Sequence, residues 1–454
     1  MPAVPQLNGK KVAVMGLGKS GTSAARALAV SGASVIAWDD NESARTAATA
    51  EGVTIRDLLA EDFATVDLVL WSPGIPHIHP KPHPVAERAR AAGVPVVCDV
   101  ELLAIACPNA RFVGITGTNG KSTTTTLIAH ILKSAGYEIA VGGNLGTPAL
   151  DLPLLSDQGI YVLELSSYQL ELLDTAAFDV AVMLNLTPDH LSRHGGMEGY
   201  FAAKASLFQR LRANGAAVVG VDDTYGQRLA ASLPHAVTVS VREPIQGVHA
   251  ENGMLIDQGA RLFDLSGLSI LPGRHNWQNA CCAYAAARAL GLPLDEIVAG
   301  LKSYPGLAHR QEWVGTVDGV RYVNDSKATN ADAAEKAMLC YRHIYWIIGG
   351  QAKEGGIGSL EPLFSRVVKA FLIGEASDAF AAALEGKAAF DRCGTLDVAV
   401  AKAREAALAD GHKDAVVLLS PACASWDQFK SFEHRGEAFR DLVARLPGKR
   451  GAAP

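Results

Sequence analysis

A glycine-rich segment in the middle of the chain carries the strongest chemical signal of the sequence. It reads Gly117-Thr118-Asn119-Gly120-Lys121-Ser122-Thr123 and lies between an apolar run and a helical stretch. Backbone N–H groups at a helix start bind phosphate, the lysine can reach the β and γ oxygens of ATP, and the serine hydroxyl can bind Mg²⁺. The spacing departs from the usual P-loop because Ile115, not glycine, lies six residues before Lys121. The segment predicts an ATP-binding loop.

A second glycine loop lies near the amino terminus. Gly16-Leu17-Gly18-Lys19-Ser20-Gly21 matches GxGxxG directly after a strand candidate, and Asp39 follows its last glycine by 18 residues. This spacing is typical of dinucleotide binding. The same geometry also binds the diphosphate of a UDP-sugar, or forms a purely structural tight turn. The motif therefore leaves a nicotinamide cofactor, a sugar nucleotide and a structural role open.

Two further candidates follow apolar runs that predict strands. Glu164 ends the run Tyr161–Leu163, and His190 follows the run Val180–Leu184 through a short polar segment. Ligands of open α/β sheets bind at the carboxyl ends of strands. There Glu164 could bind a metal near the phosphate loop, or merely cap the strand end. His190 on its own fits a structural or an exposed position as well as a functional one.

Lys204 stands on an apolar stripe. In a helix predicted over Tyr200–Leu211, it shares one face with Phe201, Phe208 and Leu211. A lysine there must extend its amine to the surface, find a partner, or lose its charge through a lowered pKa. A neutral lysine amine can also be carbamylated and then bind a metal. Periodicity alone favours an amine that reaches the surface.

The last third of the chain places polar clusters after three predicted strands. These clusters are Asn324–Asn330, Gly349–Lys353 and Ser420–Phe429, and His309-Arg310 precedes them. Lysine, arginine, aspartate and serine gathered at strand ends indicate a site for an acidic ligand. Solvated surface loops are the alternative for any one cluster, but are a weaker explanation for three.

Composition limits the class of protein. Of 454 residues, 49% are hydrophobic, and the formal net charge is −6, which argues against a general nucleic-acid or anionic-membrane surface. The seven cysteines are scattered without a CxxC pair, and no apolar run suits a membrane span. We expect a cytoplasmic protein that neither binds nucleic acid nor inserts into a membrane.

The order of predicted elements indicates an α/β protein of three domains. Strand candidates alternate with helical stretches throughout, which favours parallel sheets covered by helices. We place the domains at residues 1–105, 106–306 and 307–454, with the second boundary after the turn cluster Ser303-Tyr304-Pro305-Gly306.

The chain resembles the Mur ligases over essentially its full length. The resemblance rests on residues 117–123, 142–144, 163–170, 185–190, 274–276, 279 and 309–310. Asn324–Asn330 and Ser420–Phe429 separate the branch that adds D-glutamate from sister ligases. The resemblance implies a Rossmann-like amino-terminal domain with a parallel sheet, a central P-loop ATPase-like α/β domain and a Rossmann-like carboxyl-terminal α/β domain.

The resemblance also implies a reaction. ATP would phosphorylate the L-alanyl carboxylate of UDP-N-acetylmuramoyl-L-alanine, and D-glutamate would attack the acyl phosphate to form an amide in peptidoglycan precursor synthesis. Two Mg²⁺ sites, closure of the third domain and a monomeric enzyme are expected. The alternatives are a sister ligase that adds another amino acid, an NAD-dependent dehydrogenase that uses the first glycine loop, and a non-catalytic assembly factor that binds ATP.

The resemblance assigns roles to individual residues, and the catalytic set is Lys121, Glu164, His190 and Lys204. The ATP-binding set is Gly117, Thr118, Asn119, Gly120, Lys121, Ser122, Thr123, Asn276, Asn279, Arg310 and Asp325. The set for the UDP-substrate is Gly18, Lys19, Ser20, Asp40, Ser72, Gly74, Asn144 and His190. The set for D-glutamate is Lys327, Thr329, Lys353, Ser425 and Phe432. The metal ligands are Ser122, Glu164, His190 and Lys204, the last as a carbamate, which overrides the periodicity argument for this residue.

Overall fold

The computed structural model describes residues 2–352 and 355–451. The chain divides into two compact units. The first comprises Met1–Leu265 with Asn276–Tyr304, and the second comprises Ser266–His275 with Pro305–Pro454. Within the described ranges, no helix is both long enough and apolar enough to cross a membrane.

The first unit begins with a four-stranded parallel sheet of order β2-β1-β3-β4. Its strands are β1 (Lys11–Met15), β2 (Ser34–Trp38), β3 (Leu68–Trp71) and β4 (Val96–Val97). The associated helices are α1 (Lys19–Val30), α2 (Glu42–Ala50), α3 (Pro84–Ala91) and α4 (Asp99–Ala106). Val12, Ala13 and Val14 in β1 are all fully buried, as expected for a central strand that is covered on both faces.

The same unit contains a nine-stranded sheet of order β13-β12-β11-β10-β9-β8-β5-β7-β6. Its pairs are parallel except β11 with β12 and β12 with β13. The strands are β5 (Arg111–Thr116), β6 (Ile139–Gly143), β7 (Ile160–Glu164), β8 (Phe178–Met183), β9 (Leu211–Gly220), β10 (Val237–Ser240), β11 (Val248–Glu251), β12 (Met254–Asp257) and β13 (Ala260–Asp264). The helices are α5 (Lys121–Ser134), α6 (Ser167–Leu170), α7 (Leu191–His194), α8 (Met197–Ala205), α9 (Thr224–Ser232), α10 (Arg274–Ala289) and α11 (Leu294–Ser303).

The strand order of this sheet brings the candidate residues to one edge. β5 lies between β8 and β7, and β6 follows β7. Because these four strands are parallel, the segments that leave their carboxyl ends emerge side by side. The phosphate loop follows β5, Glu164 ends β7, and the segment to His190 follows β8.

The second unit contains a six-stranded sheet of order β14-β15-β19-β16-β17-β18. Only β14 and β15 pair antiparallel. The strands are β14 (Glu312–Val317), β15 (Val320–Asn324), β16 (His343–Gly349), β17 (Val367–Ile373), β18 (Phe390–Gly394) and β19 (Ala415–Leu419). The helices are α12 (Ala331–Met338), α13 (Ser377–Leu384), α14 (Leu396–Asp410) and α15 (Phe432–Arg445).

The structure differs from the sequence prediction around Lys204. The predicted helix Tyr200–Leu211 is α8, which ends at Ala205, followed by a 3₁₀ segment Ser206–Arg210, and Leu211 already belongs to β9. The apolar periodicity continued across this break because Leu207 and Phe208 are buried in the 3₁₀ segment as well. A spacing that suits an α-helix did not reveal the change of helix type.

Candidate active site

The phosphate loop is built by glycines and held by the segment after β8. Gly117 and Gly120 have φ values of 142° and 89°, which side chains other than glycine rarely adopt. The Thr118 N–H donates to the Asn185 carbonyl over 2.9 Å, and the Asn119 N–H donates to the Asn185 Oδ1 over 2.9 Å. The loop therefore keeps its shape through contacts to a neighbouring strand end, and α5 begins directly at Lys121.

Two lysine amines meet the backbone of this loop. Lys121 Nζ donates to the carbonyls of Gly117 and Thr118 over 2.9 and 2.8 Å. Lys204 Nζ donates to the same Gly117 carbonyl over 2.9 Å and to Thr116 Oγ1 over 3.3 Å. Lys204 is only 1% exposed, so its amine does not reach the surface as periodicity alone favoured. The tertiary structure places it behind the phosphate loop.

The surroundings of Lys204 disfavour its charged form. Burial lowers the pKa of Lys204 well below its usual range, and the Lys121 ammonium lowers it further, while Asp189 and Glu164 oppose the shift. The Tyr200 ring lies 4.8 Å from Lys204 Nζ and covers it. A neutral amine is the form that reacts with carbon dioxide, so the position suits carbamylation.

Glu164 offers a buried carboxylate oxygen without a partner. The residue is 3% exposed, and its Oε1 accepts a 2.7 Å hydrogen bond from Asn144 Nδ2. Its Oε2 is buried and accepts no hydrogen bond within the described residues. A buried carboxylate oxygen left alone is costly, and a bound cation would satisfy it. This atom fits a Mg²⁺ ligand beside the phosphate loop.

The described residues contain no group of three or more histidine, cysteine, aspartate or glutamate side chains that could hold a metal ion. Mg²⁺ does not require such a group, because it usually binds one or two carboxylates together with waters and substrate phosphates. Ser122, which is 6% exposed, and Glu164 suit this mode of binding.

His190 lies at a strained position in the segment after β8. Its backbone is left-handed with a φ of 51°, and its side chain is 53% exposed. Nε2 lies 3.4 Å from Asp189 Oδ2, and the ring is 5.3 Å from that of Tyr168. Burial lowers the pKa of His190 while Asp189 raises it. An exposed imidazole held in this strained conformation is available to a ligand or a metal.

Asn144, Asn276 and Asn279 are occupied by protein contacts. Asn144 orients Glu164, as described above. Asn279 Nδ2 donates to Asn276 Oδ1 over 3.0 Å, and Asn279 Oδ1 accepts from Thr124 Oγ1 over 3.2 Å. A Cβ at Gly120 would lie 2.3 Å from Asn279 Oδ1. Here Asn279 supports the phosphate loop, a contact that the sequence did not indicate.

The amino-terminal glycine loop is held by Asp39. Asp39 Oδ2 accepts from the Leu17 N–H over 2.7 Å, and Oδ1 accepts from the Asn41 N–H over 2.8 Å. Gly18 and Lys19 are exposed, and Ser20 is half-buried at the start of α1. The carboxylate that would bind the adenosine ribose of a dinucleotide is thus already engaged in shaping the loop.

The remaining candidates for the UDP-substrate lie after β2 and β3. Asp40 is exposed, and its Oδ2 lies 3.1 Å from His83 Nε2. Ser72 is half-buried and its N–H donates to the Met15 carbonyl over 2.8 Å. Gly74 is exposed at the same sheet edge.

In the second unit, Asp325 lies at the carboxyl end of β15. Its Oδ2 accepts from Ser420 Oγ over 2.7 Å, and its Oδ1 accepts from the Gln311 N–H over 3.1 Å. Burial raises the pKa of Asp325 to about 7, against the opposing effects of Ser420 and Arg310. Arg310 is half-buried, and its Nε is buried without a hydrogen-bond acceptor within the described residues.

Among the candidates for D-glutamate binding, Lys327 lies near Phe432 at the start of α15. Lys327 Nζ lies 5.6 Å from the Phe432 ring, and α15 begins at Phe432. The first N–H groups of a helix have no acceptor within it, and here the His434 N–H donates to Ser431 Oγ. An ammonium beside a helix amino terminus suits a carboxylate. Ser425 is buried and Thr329 half-buried, whereas the Phe432 carbonyl already accepts from Ser326 Oγ over 2.8 Å. Lys353 lies outside the described residues.

The sequence matches known protein families and relatives over most of its length. Three family models match: "Mur ligase MurD-like, N-terminal domain" over residues 10–98, "Mur ligase middle domain" over 115–287, and "Mur ligase, glutamate ligase domain" over 309–423. A UDP-N-acetylmuramoylalanine–D-glutamate ligase from Paramagnetospirillum magneticum is 60% identical over 98% of both chains. The chain belongs to the Mur ligase family.

Other relatives agree with this. The chain is 54% identical to a UDP-N-acetylmuramoylalanine–D-glutamate ligase from Rhodospirillum rubrum, over 99% of this chain and 97% of that one. A solved UDP-N-acetylmuramate–alanine ligase from Thermotoga maritima superposes with a TM-score of 0.58 at 17% identity, over 96% of this chain and 99% of that chain. That likeness shows the fold, and it confirms the predicted α/β class with its Mur ligase domains.

Family membership bears on the nicotinamide alternative for the first glycine loop. The loop belongs to a segment that matches the amino-terminal domain of a ligase, and not a nicotinamide-binding domain. The Mur ligase family consists of ATP-dependent ligases, so the chain uses ATP and Mg²⁺. The dehydrogenase alternative has no support in the structure or in these relatives.

Sequence reasoning missed Arg435, a fully buried residue of this Mur ligase. Arg435 is 1% exposed and donates to Ser326 Oγ and to the carbonyls of Ser326, Cys423 and Ala424 over 2.8 to 3.4 Å. It thereby joins the loop before Lys327 to the loop before Ser425. In α15 it lies on the buried face with Phe439 and Val443, so the signal that singled out Lys204 was present here too.

Proposed function

We propose that this Mur ligase joins D-glutamate to UDP-N-acetylmuramoyl-L-alanine at the expense of ATP, as a step in making peptidoglycan precursors. The observation that carries the proposal is the full-length relationship, at 60% identity, to a ligase of that name. The geometry agrees, because a phosphate loop, two lysine amines and a buried carboxylate share one sheet edge.

In the proposed reaction the γ-phosphoryl group of ATP passes to the L-alanyl carboxylate. The N–H groups of Gly117–Thr123 and the Lys121 ammonium would hold the phosphates and offset their charge. Mg²⁺, when bound, would stabilise negative charge on the phosphoryl oxygens, with Ser122, Glu164, His190 and carbamylated Lys204 as its ligands in two sites. Asn144 would orient Glu164 through the hydrogen bond that it already makes.

The sugar nucleotide would bind at the amino-terminal glycine loop. Gly18, Lys19 and Ser20 at the start of α1 offer backbone N–H groups and a positive charge to its diphosphate. Asp40, Ser72, Gly74, Asn144 and His190 complete the proposed set. Among these, the exposed His190 would serve both the substrate and the metal.

The amino acid would bind in the second unit. Lys327 and the N–H groups at the start of α15 would hold carboxylate groups of D-glutamate, with Thr329, Lys353 and Ser425. Asn276, Asn279, Arg310 and Asp325 would contact the nucleotide or support its loop. The amine of D-glutamate then attacks the acyl phosphate, phosphate leaves, and the amide remains. We further propose that the enzyme is cytoplasmic and monomeric, with domains at residues 1–105, 106–306 and 307–454.

An amino-acid panel tests the specific assignment. The purified chain is given ATP, Mg²⁺ and UDP-N-acetylmuramoyl-L-alanine with D-glutamate, L-glutamate, L-alanine or a diamino acid, and phosphate release is measured. We expect D-glutamate to be strongly preferred. Preference for another amino acid would make the chain a sister ligase and contradict the proposal.

A further inference from the structure

Arg193 joins two parts of the first unit that the proposed function uses together. It lies in α7, three residues after His190, and its guanidinium reaches the loop that follows β3. NH1 donates to the Gly74 carbonyl over 2.7 Å, and NH2 donates to the carbonyls of Pro73 and Ile75 over 3.3 and 3.4 Å. One side chain from the β8 segment thus holds three consecutive carbonyls of the amino-terminal sheet's loop.

The same guanidinium rests on an aromatic ring from a third element. Its carbon lies 4.5 Å from the centre of the Tyr168 ring, and Tyr168 belongs to α6, which follows Glu164. The His194 ring stacks against Tyr168 at 5.3 Å with an interplanar angle of 19°. The Arg193 guanidinium has little freedom to move, because its N–H groups donate to carbonyls and its flat face packs on the Tyr168 ring.

Buried hydrogen bonds fix the other members of this cluster. The His194 side chain is fully buried, with Nδ1 2.8 Å from Glu171 Oε1 and Nε2 2.9 Å from Ser167 Oγ. His77, from the first sheet's side, lies 3.8 Å from Glu171 Oε2. The loops after β3, β7 and β8 are therefore joined at one place. The loops after β3 and β8 carry residues of the proposed site, and Glu164 ends β7.

The contacts also orient the substrate loop. The C=O and N–H of one trans peptide point in opposite directions. With the Pro73 carbonyl turned toward Arg193, the Gly74 N–H of the same peptide points away from it. A positive charge on the carbonyl side polarises the peptide and strengthens its N–H as a donor. Gly74 is an exposed residue, and its N–H is thereby prepared for an anionic or polar group of a ligand.

We propose that Arg193 is a positioning residue for the sugar-nucleotide substrate: it sets the loop Ser72–Ile75 relative to the segment that carries His190. This inference rests on the proposed function, since it takes the sugar nucleotide as the ligand of that loop. Arg193 does not touch the reacting atoms. Its effect passes through the backbone of Gly74 and through α7.

The test compares Arg193→Met, Arg193→Lys and the control Arg88→Met. Arg88 makes the same kinds of contact elsewhere in the first unit, since it donates to the Glu61 carbonyl over 2.7 Å and lies 5.7 Å from the Phe63 ring. Binding of UDP-N-acetylmuramoyl-L-alanine and of a non-hydrolysable ATP analogue is measured separately by calorimetry, with KM for each substrate in the complete reaction.

For Arg193→Met we expect sugar-nucleotide binding to weaken about 10- to 100-fold, because small misplacements of positioning groups have effects of this size. Binding of the ATP analogue should stay close to that of the unsubstituted chain. Arg193→Lys keeps the positive charge but not the planar guanidinium. Its affinity for the sugar nucleotide should therefore lie between those of Arg193→Met and the unsubstituted chain. Arg88→Met should bind both ligands like the unsubstituted chain.

Several results would overturn the inference. If Arg193→Met weakened the binding of both ligands equally, Arg193 would have a general structural role. If Arg193→Met bound the sugar nucleotide as tightly as Arg88→Met does, Arg193 would have no role in positioning it. If Arg193→Met did not fold, Arg193→Lys alone would decide by the same two measurements. A chain that binds the sugar nucleotide but rejects D-glutamate would contradict only the proposed function, whereas one that does not bind the sugar nucleotide would contradict both.

Discussion

The two glycine loops of the first unit share an element order but differ in what surrounds them. Each follows a central parallel strand and opens a helix, β1 to α1 and β5 to α5. The first loop is shaped by the Asp39 carboxylate, and its lysine, Lys19, is exposed. The second receives the amines of Lys121 and Lys204 on its backbone.

The difference between the loops separates what is needed to bind a phosphate from what is needed to transfer one. A strand, a glycine turn and a helix start suffice to bind a diphosphate through backbone N–H groups. Phosphoryl transfer also needs cations and a metal-binding carboxylate, which must arrive from other elements. Around the second loop, Lys121 starts α5, Glu164 ends the neighbouring strand β7, and α8 places the buried Lys204 behind the loop. The first loop therefore suits binding and the second suits reaction.

The largest expected difference between the two loops follows from removing the lysine of each one. Lys121→Met should lower kcat about 10³-fold, because the loop loses the cation that offsets charge on the phosphoryl group. Lys19→Met should raise KM for the sugar nucleotide only about threefold, since exposed ion pairs contribute little. Phosphate release measures both.

The control for that pair is Lys133→Met, which removes an exposed lysine at the far end of α5. It should leave kcat and KM unchanged. Equal losses of kcat in Lys19→Met and Lys121→Met would contradict the division of labour between the loops.

The next largest effect is expected at Lys204. Lys204→Ala should lower kcat about 10²-fold, since the proposed carbamate supplies charge next to the phosphate loop. Short-chain carboxylic acids should restore part of the activity, because the vacated space can hold a carboxylate where the carbamate would lie. Sodium chloride at the same ionic strength serves as the control. Unchanged activity in the variant would rule out the carbamate.

A third test concerns stability and separates two glycines of the first loop. A Cβ at Gly21 would lie 1.8 Å from the Gly16 carbonyl oxygen, whereas a Cβ at Gly18 would meet nothing within 4 Å. Gly21→Ala should lower the free energy of unfolding by about 1–3 kcal/mol, as overpacking does. Gly18→Ala should change it by less than about 0.5 kcal/mol. Urea unfolding measures the free energy of unfolding of each variant. Similar losses for Gly21→Ala and Gly18→Ala would contradict the packing argument.

The smallest effect is expected for Asp39→Asn. An amide offers one acceptor oxygen where the carboxylate engages two backbone N–H groups, so one of these bonds is lost. The free energy of unfolding should fall by about 1 kcal/mol, with a rise of about fivefold in KM for the sugar nucleotide. KM for ATP should not change. A change in KM for ATP, with KM for the sugar nucleotide unchanged, would contradict the assignment of Asp39 to the sugar-nucleotide loop.

Many of the local elements and the positions of several candidate residues could be predicted from the sequence. The apolar runs Tyr161–Leu163 and Val180–Leu184 predicted strands, and the structure has β7 (Ile160–Glu164) and β8 (Phe178–Met183) there. Short apolar runs next to glycine turns are local features, so their structure depends little on distant residues. The positions of Glu164 at the end of β7 and of His190 in the segment after β8 followed from the same patterns.

Other features depended on the order of strands in the sheet. The hydrogen bond between Asn144 and Glu164 requires β6 beside β7, and the contacts of Arg193 join residues about 120 positions apart. Lys204 and Arg435 both stand on apolar faces, yet only the folded chain shows which carbonyls surround each one. Local sequence determined which elements form and which residues could react. The tertiary structure alone decided which side chains meet, because partners far apart in the chain are selected by packing that no local pattern encodes.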